Sequence, residues 1–169
     1  MTESAPPPLA LPADGLVITR LEVLPAWLDY NGHMNVAYYI AAFDLAIEDL
    51  KATYGLDAAY REAHRRSTVA LESHITYQQE AHLGEALRIE SRILGTDGRR
   101  LHIAQAMYRD TTLLATQEAL SVSFDLDARR SCPFDPPLKA RIDALQAAQA
   151  IAATPSWVGR RIGLDTRRP

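Results

Sequence analysis

Residues 17–24 alternate, with Val17, Thr19, Leu21 and Val23 on one side of an extended chain and Ile18, Arg20, Glu22 and Leu24 on the other. That period of two predicts a strand, which Pro25 ends. Over residues 36–53 the period becomes helical: Val36, Tyr39 or Ile40, Phe43, Ala46 or Ile47 and Leu50 form one stripe, and Asp44, Glu48 and Lys51 line the other side. At about 1.5 Å per residue this helix runs roughly 27 Å, enough to cross a small sheet, and Gly55 stops it. Residues 57–67 are mixed and polar, a short helix or a loop. Four strand patterns follow near 68–77, 86–94, 100–109 and 113–126, separated by turn signals at Gly84, Asp97-Gly98 and Asp110. Connections this short predict antiparallel hairpins and hence a meander.

In the second of these strands Leu87, Ile89, Ser91 and Ile93 oppose Arg88, Glu90 and Arg92, so one face is buried and one is wet. The buried face needs a cover, and the long amphipathic helix ahead of the sheet is the element able to supply it. An α+β fold follows, in which a curved antiparallel sheet wraps around a long central helix. After Pro136-Pro137, residues 138–153 carry Leu138, Ile142, Leu145 and Ile151 at helical spacing in an alanine-rich segment. This extra C-terminal helix is expected at the periphery.

With 169 residues and 47% hydrophobic against 23% charged positions, the chain is expected to be one globular domain. The expected divisions are a disordered leader over 1–15, the main domain over 16–127, and a C-terminal helix and tail over 128–169 packed on the same domain. No apolar run approaches the roughly 18 residues of a membrane span, and residues 1–12 lack the basic start and long apolar core of a signal peptide. A net charge of −3 with scattered basic residues argues against nucleic acid as a partner. The single cysteine, Cys132, fits a reducing cytoplasm and excludes an internal disulfide. His33, His64, His74, His82 and His102 lack the paired spacing of a zinc site, so no metal is expected, and no Gly-x-Ser-x-Gly or Gly-x-Gly-x-x-Gly motif is present.

Chemistry concentrates at the start of the long helix, where Asp29-Tyr30-Asn31-Gly32-His33-Met34-Asn35 runs into the apolar stripe. A helix start carries unpaired N–H groups and the positive end of the macrodipole, so it can hold a developing oxyanion beside a carboxylate. Asp, Asn and Gly before a helix are also ordinary capping and turn residues. A cap needs one such side chain, whereas seven residues here bring one Asp, two Asn, one Gly and one His, flanked by Trp27, Tyr30, Tyr38 and Tyr39. Glu72 and His74, two apart on one strand face, are either solvated or part of a polar pocket.

One strand, one long helix and four further strands, with Asp-x-x-Gly-His before the helix, resemble the hotdog fold of acyl-CoA thioesterases, and specifically the 4-hydroxybenzoyl-CoA thioesterase branch. The stretches Trp27-Leu28-Asp29-Tyr30-Asn31-Gly32-His33-Met34-Asn35 and Leu71-Glu72-Ser73-His74 are more narrowly similar to betainyl-CoA thioesterases and to the thioesterase module of L-carnitine dehydrogenase fusions. The resemblance implies hydrolysis of a small acyl-CoA thioester, with Asp29 as nucleophile or general base and Asn31, Gly32, His33 and Asn35 as its catalytic surroundings. No cofactor is implied beyond the coenzyme A of the substrate. Substrate contacts are expected from Trp27, Tyr30, Tyr38, Tyr39, Glu72 and His74, the first five being aromatic and acidic groups of the kind that hold a quaternary ammonium. The same resemblance implies a homodimer or higher homo-oligomer. Two rivals stand beside this reading: a hotdog hydratase, whose motif has Pro and a later His where this chain has Gly32 and His33, and a non-catalytic acyl-CoA-binding protein in which Asp29 only caps the helix.

Overall fold

The computed structural model describes residues 15–164; most of the expected leader lies outside them. Strand β1 is Val17–Glu22, helix α1 is Val36–Tyr54 and helix α2 is Ala58–His64. Strands β2 (Arg66–Tyr77), β3 (Ala86–Thr96), β4 (Arg100–Arg109) and β5 (Thr112–Asp125) follow, then a short β6 (Arg130–Ser131) and helix α3 (Pro136–Gln149). Gly55 takes φ +95° at the end of α1, a left-handed conformation that costs a residue without Cβ little.

The sheet is antiparallel throughout, in the order β1-β3-β4-β5-β2, with β6 paired to β5. This departs from the meander. Only β3, β4 and β5 succeed one another as hairpins, while β2 lies at the far edge against β5. The eight residues between β2 and β3 are too many for a tight hairpin and instead cross beneath the start of α1. There Met34 N–H donates to Ala81 O at 2.8 Å and Val23 N–H to Glu85 O at 3.0 Å. That crossing delivers β3 to the side of β1, leaving β2 one free edge.

Helix α1 buries Tyr39, Ala42, Phe43, Ala46, Leu50 and Tyr54. Tyr39, Phe43, Ala46 and Leu50 follow the expected stripe, while Val36 and Ile40 are exposed and Lys51, expected on the polar side, is buried. Its N-terminal half joins Val23, Leu87, Ile89, Met107 and Leu114 in one core cluster. Its C-terminal half joins Ile93, Leu101 and Ile103 in a second, which also takes Leu138, Ile142 and Leu145 of α3. The last helix is thus not peripheral: those three leucine and isoleucine side chains are buried in a cluster with Ile93, Leu101 and Ile103 of the sheet and Leu50 and Tyr54 of α1. Gln149 closes the join, accepting from Ile93 N–H and donating to Ser91 O.

Candidate active site

The loop before α1 is built by its own polar groups. Leu28 and Met34 form an antiparallel bridge. Between them Asp29 N–H donates to His33 O and Gly32 N–H to Asp29 O, closing a tight turn. Gly32 sits at φ +83°, a conformation that disfavours residues with a Cβ, although no atom lies within 4 Å of where that Cβ would stand. Asn35 caps α1 by accepting from Ala37 N–H at 3.0 Å. Of the two roles open to Asn35, capping and catalysis, the contact made is the cap.

Asp29 Oδ1 accepts from Asn31 N–H at 2.8 Å, which fixes the direction of the carboxylate. Its second oxygen takes no partner among the described residues. The N–H groups of His33 and Val36 likewise donate to no described acceptor, so two backbone donors at the positive end of α1 accompany one open carboxylate oxygen. All these groups border a cleft of about 770 Å³ lined by Asp29, Tyr30, His33, Asn35, Tyr39, Tyr77, Glu80 and Arg109 among others.

Tyr39 reaches from α1 into the loop between β2 and β3. Its hydroxyl donates to Gln79 O and accepts from Ala81 N–H, and burial pushes its pKa up, keeping it neutral in both roles. Tyr77 stands edge-on to Tyr39, ring centroids 5.4 Å apart. His33 Nε2 lies 3.3 Å from Glu80 Oε1. Arg109 makes a two-pronged contact with Glu85, at 2.7 and 2.8 Å. Burial works against the Glu85 charge, but donation from His82 N–H and Arg109 outweighs it and holds the carboxyl below its usual range.

Of the expected substrate contacts, Tyr30 and Tyr39 join Asp29, His33 and Asn35 at this cleft. Trp27 and Tyr38 stack on each other, centroids 5.7 Å apart and planes 13° from parallel, and pack on the core beside it. Glu72 and His74 are elsewhere within the chain. Gln105 reaches Phe43 O of α1, and the β4–β5–β2 register puts His102, Glu118 and His74 on the opposite face of the sheet. There Glu72, His74, Arg100, His102 and Glu118 border a separate cleft of about 510 Å³. His102 Nε2 lies 2.7 Å from Glu118 Oε1, and Gly159 N–H donates to Glu118 Oε2, tying the chain after α3 to this outer face. Tyr77, Glu80 and Arg109 escaped the sequence reading. Their one signal was the connection between β2 and β3, polar and too long for a tight turn.

The sequence model of the thioesterase-like superfamily matches residues 23–142, which span the cleft and nearly the whole sheet. The chain belongs to this superfamily. A betainyl-CoA thioesterase of Pseudomonas aeruginosa is 39% identical over 90% of this chain and 98% of its own length. A fused L-carnitine dehydrogenase/betainyl-CoA thioesterase of Ruegeria pomeroyi is 33% identical over 86% of this chain, which spans 30% of that longer protein. Among solved structures, a Staphylococcus aureus protein in complex with CoA superposes with a TM-score of 0.84 at 26% identity, covering 89% of this chain and 96% of its own. A thioesterase candidate from Pseudomonas putida gives 0.78 at 34% identity over 92% and 99%. The fold is the hotdog fold, and this thioesterase hydrolyses acyl-CoA thioesters. No helix among its described residues is long and apolar enough to cross a membrane.

Proposed function

We propose that the substrate is betainyl-CoA or a close cationic analogue, cleaved at the Asp29 cleft to the free acid and coenzyme A. The observation that carries the site is one cleft that holds an Asp29 oxygen and the N–H groups of His33 and Val36, none of them with a partner among the described residues. Identity to the Pseudomonas aeruginosa betainyl-CoA thioesterase over nearly the full length of both chains supports the acyl group.

Two routes fit a carboxylate so placed. Asp29 adds to the thioester carbonyl, expels the CoA thiolate and leaves a mixed anhydride that water opens, or Asp29 takes a proton from a water that adds to the carbonyl and expels the same thiolate. In both, the carbonyl oxygen gains charge that the N–H groups of His33 and Val36 are disposed to receive. Gly32 N–H is already committed to Asp29 O and serves the turn. Asn31 holds Asp29 through its backbone, and Asn35 organises the helix start.

The exposed edge of β2, where Leu71 is 54% and Val69 38% accessible, supports a homodimer or higher homo-oligomer. A lone cysteine, half-buried against Arg66, supports a cytoplasmic setting.

The test is coenzyme A release from betainyl-CoA, followed chromatographically. Asp29→Asn is expected to lower turnover at least about 100-fold with an unchanged melting temperature. Full activity in that variant would remove Asp29 from the reaction.

A further inference from the structure

A betainyl group carries its charge one methylene from the carbonyl carbon. A carboxylate acting on that carbonyl therefore fixes the cation within the same cleft, and whatever selects the cation must line it. A quaternary nitrogen has no N–H to donate, so the groups able to recognise it are a carboxylate acting through charge and an aromatic face.

Two carboxylates border the cleft, Asp29 and Glu80. Asp29 is committed to the carbonyl. Glu85, farther along the same loop, is saturated by Arg109 and by His82 N–H. Among the described residues Glu80 has a single side-chain partner, the His33 imidazole, and its side chain is 63% accessible. An ion pair this exposed contributes little to stability, so folding alone does not account for a carboxylate at this spot.

The position is nevertheless built. The Tyr39 hydroxyl clamps the backbone on both sides of Glu80, donating to Gln79 O and accepting from Ala81 N–H, while Met34 N–H binds Ala81 O. Those bonds tie Glu80 to α1, the helix whose start holds Asp29. Tyr77, 47% accessible and braced edge-on by Tyr39, adds a ring to the same cleft. Glu72, the acid expected in this role, is on the other face of the sheet.

We propose that Glu80 and Tyr77 are the groups that select a cationic acyl chain, Glu80 as counter-charge and Tyr77 as aromatic wall, with Tyr39 positioning both. This rests on Asp29-dependent thioester hydrolysis in the same cleft.

The experiment compares kcat/KM for betainyl-CoA with that for 3,3-dimethylbutyryl-CoA, in which carbon replaces nitrogen at the same shape. Glu80→Gln is expected to reduce the preference for the cationic thioester about ten-fold, the order expected for one partly solvated charge contact. Tyr77→Leu is expected to reduce it as well, and Tyr77→Phe, which keeps the ring, to retain it. An unchanged ratio in Glu80→Gln overturns the proposal, as does a wild type that does not prefer the cation. Loss of Asp29-dependent hydrolysis for every thioester would instead fell the functional reading, so the two failures are distinguishable. Melting temperatures of all variants confirm that the ratios come from folded protein.

Discussion

Tyr54 ends α1 with its side chain fully buried and its hydroxyl without a hydrogen-bond partner among the described residues. Burial, reinforced by the nearby Glu48 charge, pushes this hydroxyl far above the tyrosine value of 10.0. A group whose folded pKa is raised contributes stability that is complete below the unfolded pKa and is lost as pH rises past it. Melting temperature should therefore fall above about pH 10, more shallowly in Tyr54→Phe, because unfolded tyrosine titrates near that pH. At pH 7 the same substitution should leave the melting temperature equal or higher, since it removes a buried polar atom that bonds to nothing. A drop of more than about 4 °C would show that the hydroxyl has a partner. At this scale Asp29, His33 and Asn35 were legible because they crowd a single helix start. Glu80 was not, because a lone acid in a polar connection has no local mark until Tyr39, forty residues earlier, clamps it.

Helix α3 shows how a weak pattern becomes structural. Its alanine-rich sequence predicts a surface helix, yet Leu138, Ile142 and Leu145 complete the core around Leu50, Tyr54 and Leu101. Leu145→Ala should cost about 2–5 kcal/mol, read as a shift in urea midpoint, against the roughly 5–15 kcal/mol that hold a domain of this size. A peripheral helix would lose less than about 0.5 kcal/mol. The strands were easier to place, since β4 runs over Arg100–Arg109 as expected, although Ile103 to Met107 are buried on both faces, and β3 keeps its wet and dry faces. The spacing on α1 left Tyr39 and Ile40 as alternatives, and the contacts of Tyr39 with Gln79, Ala81 and Tyr77 chose Tyr39.

For the whole molecule, the crossing between β2 and β3 has the larger consequence. It leaves β2 as an edge, with Val69, Leu71 and Tyr77 exposed along it and Val36, Ile40 and Leu45 exposed on α1. Apolar side chains along an unpaired strand favour pairing with a second copy. Light scattering should give a dimer or larger mass at micromolar concentration, and Leu71→Lys should lower it; a monomeric wild type would refute the assembly. Periodicity, turn residues and the crowded loop from Asp29 to Asn35 are local properties, so β1, α1, β2 to β5 and α3 could be read along the chain, with Asp29 just before α1, whereas α2 was left open and β6 carried no pattern. Strand neighbours, the burial of α3 and the meeting of Glu80 and Tyr77 with Asp29 depend on contacts between distant segments. Those follow from packing, because the same alternating pattern satisfies several strand orders until the buried stripe of α1 meets one particular set of strands.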